Sequence, residues 1–571
     1  MSLNIAFRYW HTLRHLKPVQ FYGRLWFRFY RPQPDLRPAP PLREPGAGWQ
    51  LPACREPSLR GPELFVFLGE EGCLADVGWS GDARSKLWRY NQHYFDDLNA
   101  EGAGDRSEWH QALLARWVAE NPTGQGDGWE PYPSSLRIVN WVKWALAGNQ
   151  LPAKCVASLA VQARWLARRL EIHLLGNHLF ANAKALVFAG CFFQGVEAER
   201  WLRTGFRILA REVPEQILAD GGHFERSTMY HALALEDMLD LLNLLRCLDQ
   251  ASSSASPLEN RALHSQLGDF LQAWPALIQK MVSWLQAMCH PDGEIAFFND
   301  AAFAIAPPTS SLLAYVDRLG LGATSASPDG LGAPPAWLAE SGYIRLCNAS
   351  AVLLFDTAPV GPDYLPGHGH ADTLSVELSL FGQRVLVNSG TSEYGLGPER
   401  LRQRGTAAHN TVVVNGEDSS EVWSGFRVAR RARVTAIEAQ LQGPVQMASA
   451  SHDGYTCLPN RVVVGRAIRL KVEALLIDDE PLPASAKGGC VNAAAHFHLH
   501  PAVVASQPGA DGLELRLPNG ERVRMQFDGA ASVSIDESTW HPRFGVAEPN
   551  RRISVALASA RLQTRISWSP Q

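Results

Sequence analysis

Nowhere in the 571 residues do 18 or more apolar residues follow one another without interruption, so the sequence offers no membrane span. A strong charge of either sign is also missing. The 53 Lys and Arg against 57 Asp and Glu give a net charge of −4, so no global field draws nucleic acid or an anionic polymer. A polyanionic ligand would need a local basic patch. The nine cysteines, at positions 54, 73, 155, 191, 247, 289, 347, 457 and 490, form no CxxC pair and no dense framework. They read as buried thiols rather than zinc ligands or disulfides. A cleavable export signal is not visible, because Arg8, His11, Arg14, His15 and Lys17 occupy the stretch where its apolar segment belongs. This predicts a cytoplasmic protein, reaching the periplasm or the exterior only by a non-standard route. No short-period repeat divides the chain.

What is present is globular composition, 46% apolar and 19% charged, in a chain too long for one ordinary core. Two large domains and a short extension are expected. Residues 18–60 run from an aromatic-basic segment into a proline-rich stretch that cannot sustain a helix, and residues 1–60 are read as a lead-in packed on the main body. From about 85 to 335 the pattern is helical, as in SLRIVNWVKWALAG and YHALALEDMLDLLNLLRCL, with short connections that imply antiparallel neighbours in a bundle, solenoid or toroid. Near 337, after PDGLGAPPAW, the texture turns to β-branched alternation, as in LSVELSLFGQRVLVNSG and GLELRLPNGERVRMQF. The expected division is therefore a helical domain over 61–336 and a β-sandwich over 337–571.

Three clusters carry residues able to do chemistry. In PGHGHADTLSVEL, His368 and His370 are two apart, so in extended backbone both imidazoles face one side. Histidine serves proton transfer and metal binding near neutral pH. With Asn388 and His409, each bordering a strand, His370 offers nitrogen and oxygen donors for a divalent cation of borderline character, which suggests zinc. Loop histidines bonded to backbone are the alternative. In DGGHFERSTMYH, Tyr230 falls near a helix N-terminus, where the dipole favours phenolate over phenol, and His223, Glu225 and Arg226 precede it. A core tyrosine and capping residues would leave the same pattern. In LLGNHLFANAKAL, Asn177 and His178 open a helix where amide, imidazole and backbone N–H groups could hold a carboxylate, or where Asn177 simply caps. Two further stretches, WRYNQHYFDDL and WEPYPSSLRIVNW, set His93, Tyr94, Arg137 and Asn140 among aromatics that suit sugar rings or a core.

Taken together and in this order, NHLFANAKAL, DGGHFERSTMYH, PGHGHADTLSVELSLFGQRVLVNSGT and RGTAAHNTVVVNG resemble the heparinase II/III-like polysaccharide lyases over nearly the whole chain. The resemblance implies an α+β multidomain protein, an N-terminal α/α toroid (an incomplete barrel) followed by a C-terminal antiparallel β-sandwich. It implies β-elimination on a uronic-acid-containing acidic polysaccharide, heparin or heparan sulfate first. Tyr230 and His368 then look like the acid–base pair and Asn177 like the group that neutralises the substrate carboxylate, with His178 beside it. His370, Asn388 and His409 look like the ligands of a structural metal, although relatives usually carry Asp where this sequence has Asn388. Substrate contacts are expected from His93, Tyr94, Arg137, Asn140, His223, Glu225, Arg226 and Arg404.

Between 384 and 433 stand Arg384, Arg400, Arg402, Arg404, Arg427, Arg430, Arg431 and Arg433, either an anion-gripping face or solvated strand-edge charges. Two rivals remain. A toroid glycoside hydrolase would need two opposed carboxylates, with Asp220, Glu225 and Asp237 as candidates. A non-catalytic glycan-binding protein of exopolysaccharide metabolism would leave Tyr230 and His368 without a task.

Overall fold

A computed structural model of the chain describes residues 3–44, 48–254, 258, 260–322, 333–483, 491–507, 509 and 512–568. Residues 328–332 of the expected linker and Cys490 lie outside these. The eight described cysteines are free thiols.

The helical half is a double layer. Helices Lys86–Tyr94, Pro131–Leu146, Gly176–Phe192, Thr228–Ser254 and Thr309–Arg318 each pack on the next and form the inner layer. Ser107–Glu120, Ala153–Arg168, Val196–Gln216 and Arg261–Ala287 follow one another outside. The sequence explains the sorting. Every residue from Leu179 to Cys191 is buried, as an inner helix requires. In Val196–Gln216 burial falls on Ala198, Trp201, Leu202, Gly205, Phe206, Ile208 and Leu209, one stripe at helical spacing with Arg and Glu opposite. Inner helices with no solvent face must pair the charges they carry. Lys143 and Lys184 both donate to Asp240 (3.0 and 2.7 Å), Lys184 donates to Asp237 (2.7 Å), and Arg55 to Glu236 (2.8 Å).

The second half is antiparallel β-structure. A five-stranded meander runs in chain order from Ala336–Leu338 through Tyr343–Cys347, Ala351–Asp356 and Val376–Leu380 to Gln383–Leu386. An eight-stranded sheet and a four-stranded sheet complete it. One apolar core unites them, with Leu353 and Leu378 from the meander, Ile468 and Ile477 from the large sheet and Phe497 and Ile553 from the small one, all fully buried.

The two halves are joined by apolar and polar contacts together. Trp284, Met288 and Phe298 pack on Tyr343 and Leu354. Arg345 donates to the carbonyls of Ala287 and Cys289 (3.1 and 2.8 Å), and His290 lies between Glu377 and Ser379 (2.8 and 2.7 Å). The 1–60 segment packs on more than the helical layer. Helix Leu3–Leu13 reaches the second half through an Arg8–Glu421 ion pair (2.8 Å) and a Trp423 indole N–H donated to Thr12 (3.1 Å).

The DGG turn ahead of Tyr230 is part of this junction. Gly221 adopts φ +92°, and a Cβ there would sit 2.4 Å from the Lys280 carbonyl oxygen. Gly221→Ala is therefore expected to lower stability by about 2 kcal/mol or more. Urea unfolding of the purified variant measures it, and an unchanged midpoint would contradict the packing.

Candidate active site

Asp300 is the centre of the site. It is fully buried, and its backbone N–H bonds the His368 carbonyl (3.0 Å). Its carboxylate accepts from His368 Nδ1 and His370 Nε2 (2.8 Å each), from Thr391 (3.2 Å) and from both terminal nitrogens of Arg400, Nη2 at 2.7 Å. Burial opposes the charge, but Arg400 and the two histidines hold the Asp300 carboxyl well below the usual carboxylate range. A carboxylate that only accepts fixes the tautomer of each ring. His368 therefore carries its proton on Nδ1 and presents Nε2 as a base.

Tyr230 comes from the other half of the molecule. Ser227 caps the helix, donating to the Asp300 carbonyl while accepting from the Tyr230 N–H (3.1 Å). This places the Tyr230 ring 4.0 Å from the His368 ring, centroid to centroid, with its hydroxyl 3.0 Å from that of Tyr394. Burial, with Tyr394 and Asp300 nearby, pushes the Tyr230 hydroxyl well above its ordinary value. The expected phenolate is therefore corrected to a phenol. Loss of water outweighs a helix dipole, because burial penalises the charged form by more than a helix end returns.

Glu225 lies between these groups and the Asn177 helix. It is 2% exposed, neither carboxyl oxygen has a hydrogen-bond partner among the described residues, and Oε2 is 3.7 Å from His368 Nε2. Burial raises its pKa. A Cβ on Gly176 would meet Glu225 Oε1 at 3.4 Å, so the start of the helix bearing Asn177 and His178 abuts the same carboxyl. Both of those side chains are part-exposed. Despite burial, the Glu171 carboxylate, 3.1 Å away, holds His178 above its ordinary pKa. Backbone strain gathers here too: Leu175, Arg226 and Asn299 take left-handed φ of 64°, 60° and 57° beside the residues just described.

A second cluster adjoins the first. Donor atoms of His370, Asp372 and His409 all lie within 4.8 Å of one another. His409 Nδ1 donates to the Gly405 carbonyl (2.8 Å), and His370 Nε2 is taken by Asp300. The remaining nitrogens, 3.1 Å apart, thus turn lone pairs toward each other. Two nitrogen ligands about 2.0–2.1 Å from a tetrahedral zinc stand close to this separation. Burial pulls His370 down to about 4 and keeps His409 below its ordinary value, so both rings are neutral, as ligands must be. The group fits a metal.

Residues 114–305 match the family profile described as heparinase II/III N-terminus, and residues 330–569 match heparinase II/III-like, C-terminal. The chain belongs to the heparinase II/III-like family. It is 24% identical over 398 residues to a heparin-sulfate lyase of Bacteroides stercoris, covering 64% of this chain and 50% of that protein. It is 27% identical over 385 residues to FtsZ-localized protein C of Caulobacter vibrioides, covering 63% of this chain and 59% of that one. The chain thus spans about half the length of the curated relatives it matches. Among solved structures, a heparinase III superposes with TM-score 0.65 at 19% identity over 87% of this chain and 79% of its own. A heparan sulfate lyase HepC mutant from Pedobacter heparinus gives 0.60 at 18%, over 89% and 82%. These establish the toroid-and-sandwich fold.

Several residues expected at the site of this heparinase II/III-like chain lie elsewhere. Asn388 has its side-chain amide engaged by the protein itself. Its amide donates to the Phe297 carbonyl (2.9 Å) and accepts from the Asn410 N–H (3.1 Å), and Asp372 stands as the third donor instead. Arg404 is fully buried and spends its guanidinium on the carbonyls of Gly369, Ser424 and Arg427, and burial beside Arg400 pulls it down to about 9. It braces the His368 loop from within the protein. His93 and Arg137 are wholly buried, His93 between Trp79 and Trp117 and Arg137 stacked 3.7 Å over Trp117. Asn140 is consumed by Tyr94 and Asp96, while Tyr94 packs behind Tyr132, whose ring reaches His178 (4.6 Å). His223 is buried against Gln216, and Arg226 donates to the Ser341 carbonyl across the junction and to the Phe224 carbonyl within its own half. Other arginines of the 384–433 stretch are also paired: Arg384 with Asp292, Arg402 with Glu399, Arg430 with Glu421, Arg431 with Asp363. The hydrolase carboxylates fare no better, Asp220 being bound to Ser341 and Asp237 to Lys184.

Asp300, Tyr394 and Asp372 escaped the sequence reading. Only Asp372 carried a usable signal, since the two-residue period through His368 and His370 continues to it. Replacing Asp300 by Ala would leave Arg400 buried without its anion. The expected loss is about 3–5 kcal/mol in urea unfolding, and a variant as stable as the parent would remove Asp300 from this role.

Proposed function

We propose that this chain is a polysaccharide lyase that cleaves a uronate-containing acidic glycan, heparin or heparan sulfate in type, by β-elimination. The observation that carries the reading is a base and an acid set face to face: His368, its Nε2 freed by Asp300, and Tyr230, held as a phenol 4.0 Å from it. The C5 proton of a uronate is weakly acidic until the adjacent carboxylate is neutralised. The Asn177 amide and Glu225, whose buried carboxyl is raised in pKa and has no hydrogen-bond partner among the described residues, supply that neutralisation. His368 Nε2 then takes the C5 proton, and Tyr230, backed by the Tyr394 hydroxyl, gives its own to the departing O4. The C4–O4 bond breaks, no water is consumed, and the new chain end is a 4,5-unsaturated uronate.

Family membership alone does not carry this activity, since one relative is named for lyase action and another for its localisation. The heparin-type substrate rests on the first of these. Because the arginines near the site are already paired, carboxylate recognition falls to Asn177, His178 and Glu225.

Zinc is assigned to His370, Asp372 and His409 in the same proposal. Held by these three side chains, the ion would serve a structural purpose, joining the loop of His370 and Asp372 to the loop of His409. The His370 ring, which shares Asp300 with His368, would be held at its second nitrogen as well. Chelator treatment is expected to release about one zinc per chain, measured by elemental analysis, and to lower the melting temperature. His409→Ala should purify without the ion, and a metal-free parent of unchanged melting temperature refutes the assignment.

The reaction is tested by ultraviolet absorbance of the unsaturated uronate, with parent and Tyr230→Phe on heparin, heparan sulfate, hyaluronan, alginate and chondroitin. The parent should raise absorbance on at least one glycan, and the variant should be slower by roughly 10²–10⁴-fold while remaining folded. New reducing ends without absorbance would mean hydrolysis, and silence on all five would reject lyase action on these polymers.

A further inference from the structure

Helices Leu3–Leu13 and Pro18–Phe29 sit on the protein the wrong way round for a soluble fold. In the second, Gly23 packs on His173, the Gln20 amide donates to the Tyr364 carbonyl (3.1 Å), and Phe27 lies between His173 and the Arg169 guanidinium. The opposite face, turned to solvent, carries Phe21, Tyr22, Leu25, Trp26 and Phe29, with Phe29 77% exposed. Their spacing of three and four residues makes one continuous apolar stripe. The first helix repeats the arrangement. Arg8, Tyr9 and Thr12 engage Glu421 and Trp423, while Phe7, Trp10 and Leu13 point outward, Trp10 63% exposed. Only residues 14–17 separate the two helices. Soluble monomers rarely leave so large an apolar patch uncovered.

Charge identifies what covers it. From residue 3 to residue 34 the chain holds Arg8, Arg14, Lys17, Arg24, Arg28 and Arg31 and no Asp or Glu, although its net charge is −4. Arg8 and Lys17 pair with Glu421 and Glu215, whereas Arg14, Arg28 and Arg31 have no carboxylate partner among the described residues. Aromatic and aliphatic side chains on a face rimmed by unpaired arginines match the boundary of a bilayer bearing anionic headgroups, where rings enter the acyl edge and guanidinium groups meet phosphates. No described helix is long and apolar enough to cross a membrane. We infer that these two helices dock the chain on an anionic phospholipid surface, lying in its plane. This does not depend on the lyase reading, since the face is separate from Tyr230 and His368.

The test is co-sedimentation of the full chain with sucrose-loaded vesicles, either phosphatidylglycerol with phosphatidylethanolamine or phosphatidylcholine alone, at 0.15 M and 0.5 M salt. The expected result is binding to the phosphatidylglycerol vesicles that is at least tenfold stronger than to phosphatidylcholine and weakens in high salt. Trp10→Ser combined with Trp26→Ser and Phe29→Ser should reduce it tenfold or more. These side chains are exposed, so the melting temperature should hold. Arg14→Glu with Arg28→Glu, which leaves the apolar stripe intact, should abolish the lipid preference. Equal binding by parent and variants, or no binding by the parent, overturns the proposal. So does light scattering that finds the parent an oligomer and the Ser variant a monomer, which would assign the face to a second copy of the chain.

Discussion

The arrangement of the site depends on one buried carboxylate. Asp300 receives Arg400, His368, His370 and Thr391 together, and the surrounding groups can keep their positions only while it stays ionised. Taking a carboxylate out of water is costly, and a single ion pair does not reliably repay that cost. Here several donors converge on two oxygens, so little of the charge is left unsatisfied. The same convergence sets the tautomers of two histidines that belong to different tasks. His368 is left with a basic nitrogen toward Glu225 and Tyr230, and His370 with a basic nitrogen toward His409 and Asp372. A proton-transfer site and a cation site are thus coupled through one side chain.

The environment divides the remaining labour by burial. Two acids of ordinary type, Tyr230 and Glu225, are pushed toward their neutral forms by burial, whereas Asp300, equally buried, is held toward its charged form by Arg400. Chemistry that needs a proton donor and a proton acceptor at the same pH is served by this separation. Glu225 is the sharper case. A carboxyl with two buried oxygens that have no partner among the described residues costs the fold stability unless a ligand completes it.

What could be read from the sequence was what declares itself locally. Helical and alternating textures separated the two halves because 3.6 and 2.0 residue periods are visible in any short window, as in VNWVKWAL and LSVELSL. Tyr230 and His368 were legible because glycine turns and a helix start surround them. Asp300 was not. In IAFFNDAAF nothing distinguishes it from any turn aspartate, and its partners lie 68 to 100 positions away. The arginines between 384 and 433 were misread for the complementary reason. A row of cations in sequence looks like a binding face, but Arg400 and Arg404 are wholly buried and satisfied by groups that only the fold brings near. Burial, which decides whether a charge is available, leaves no local mark at such positions.

The reacting pair is split between the halves of the molecule, so its geometry is set by the junction. Apolar packing of Trp284, Met288 and Tyr343 supplies area without much direction. Direction comes from the polar contacts: Arg345 on two helix-end carbonyls, His290 between Glu377 and Ser379, Asp220 on Ser341, the Arg226 carbonyl accepting from Tyr343, and the Asn299 side chain accepting from the His370 N–H. Each is satisfied in only one registration of the halves, and sliding by a fraction of a residue would strand buried donors at once. The left-handed backbone at Arg226 and Asn299 follows from this requirement, since both residues are bent to present their polar groups to the other half. Fixing Tyr230 beside His368 therefore draws, beyond Ser227 and Asp300, on polar groups that never touch the pair themselves.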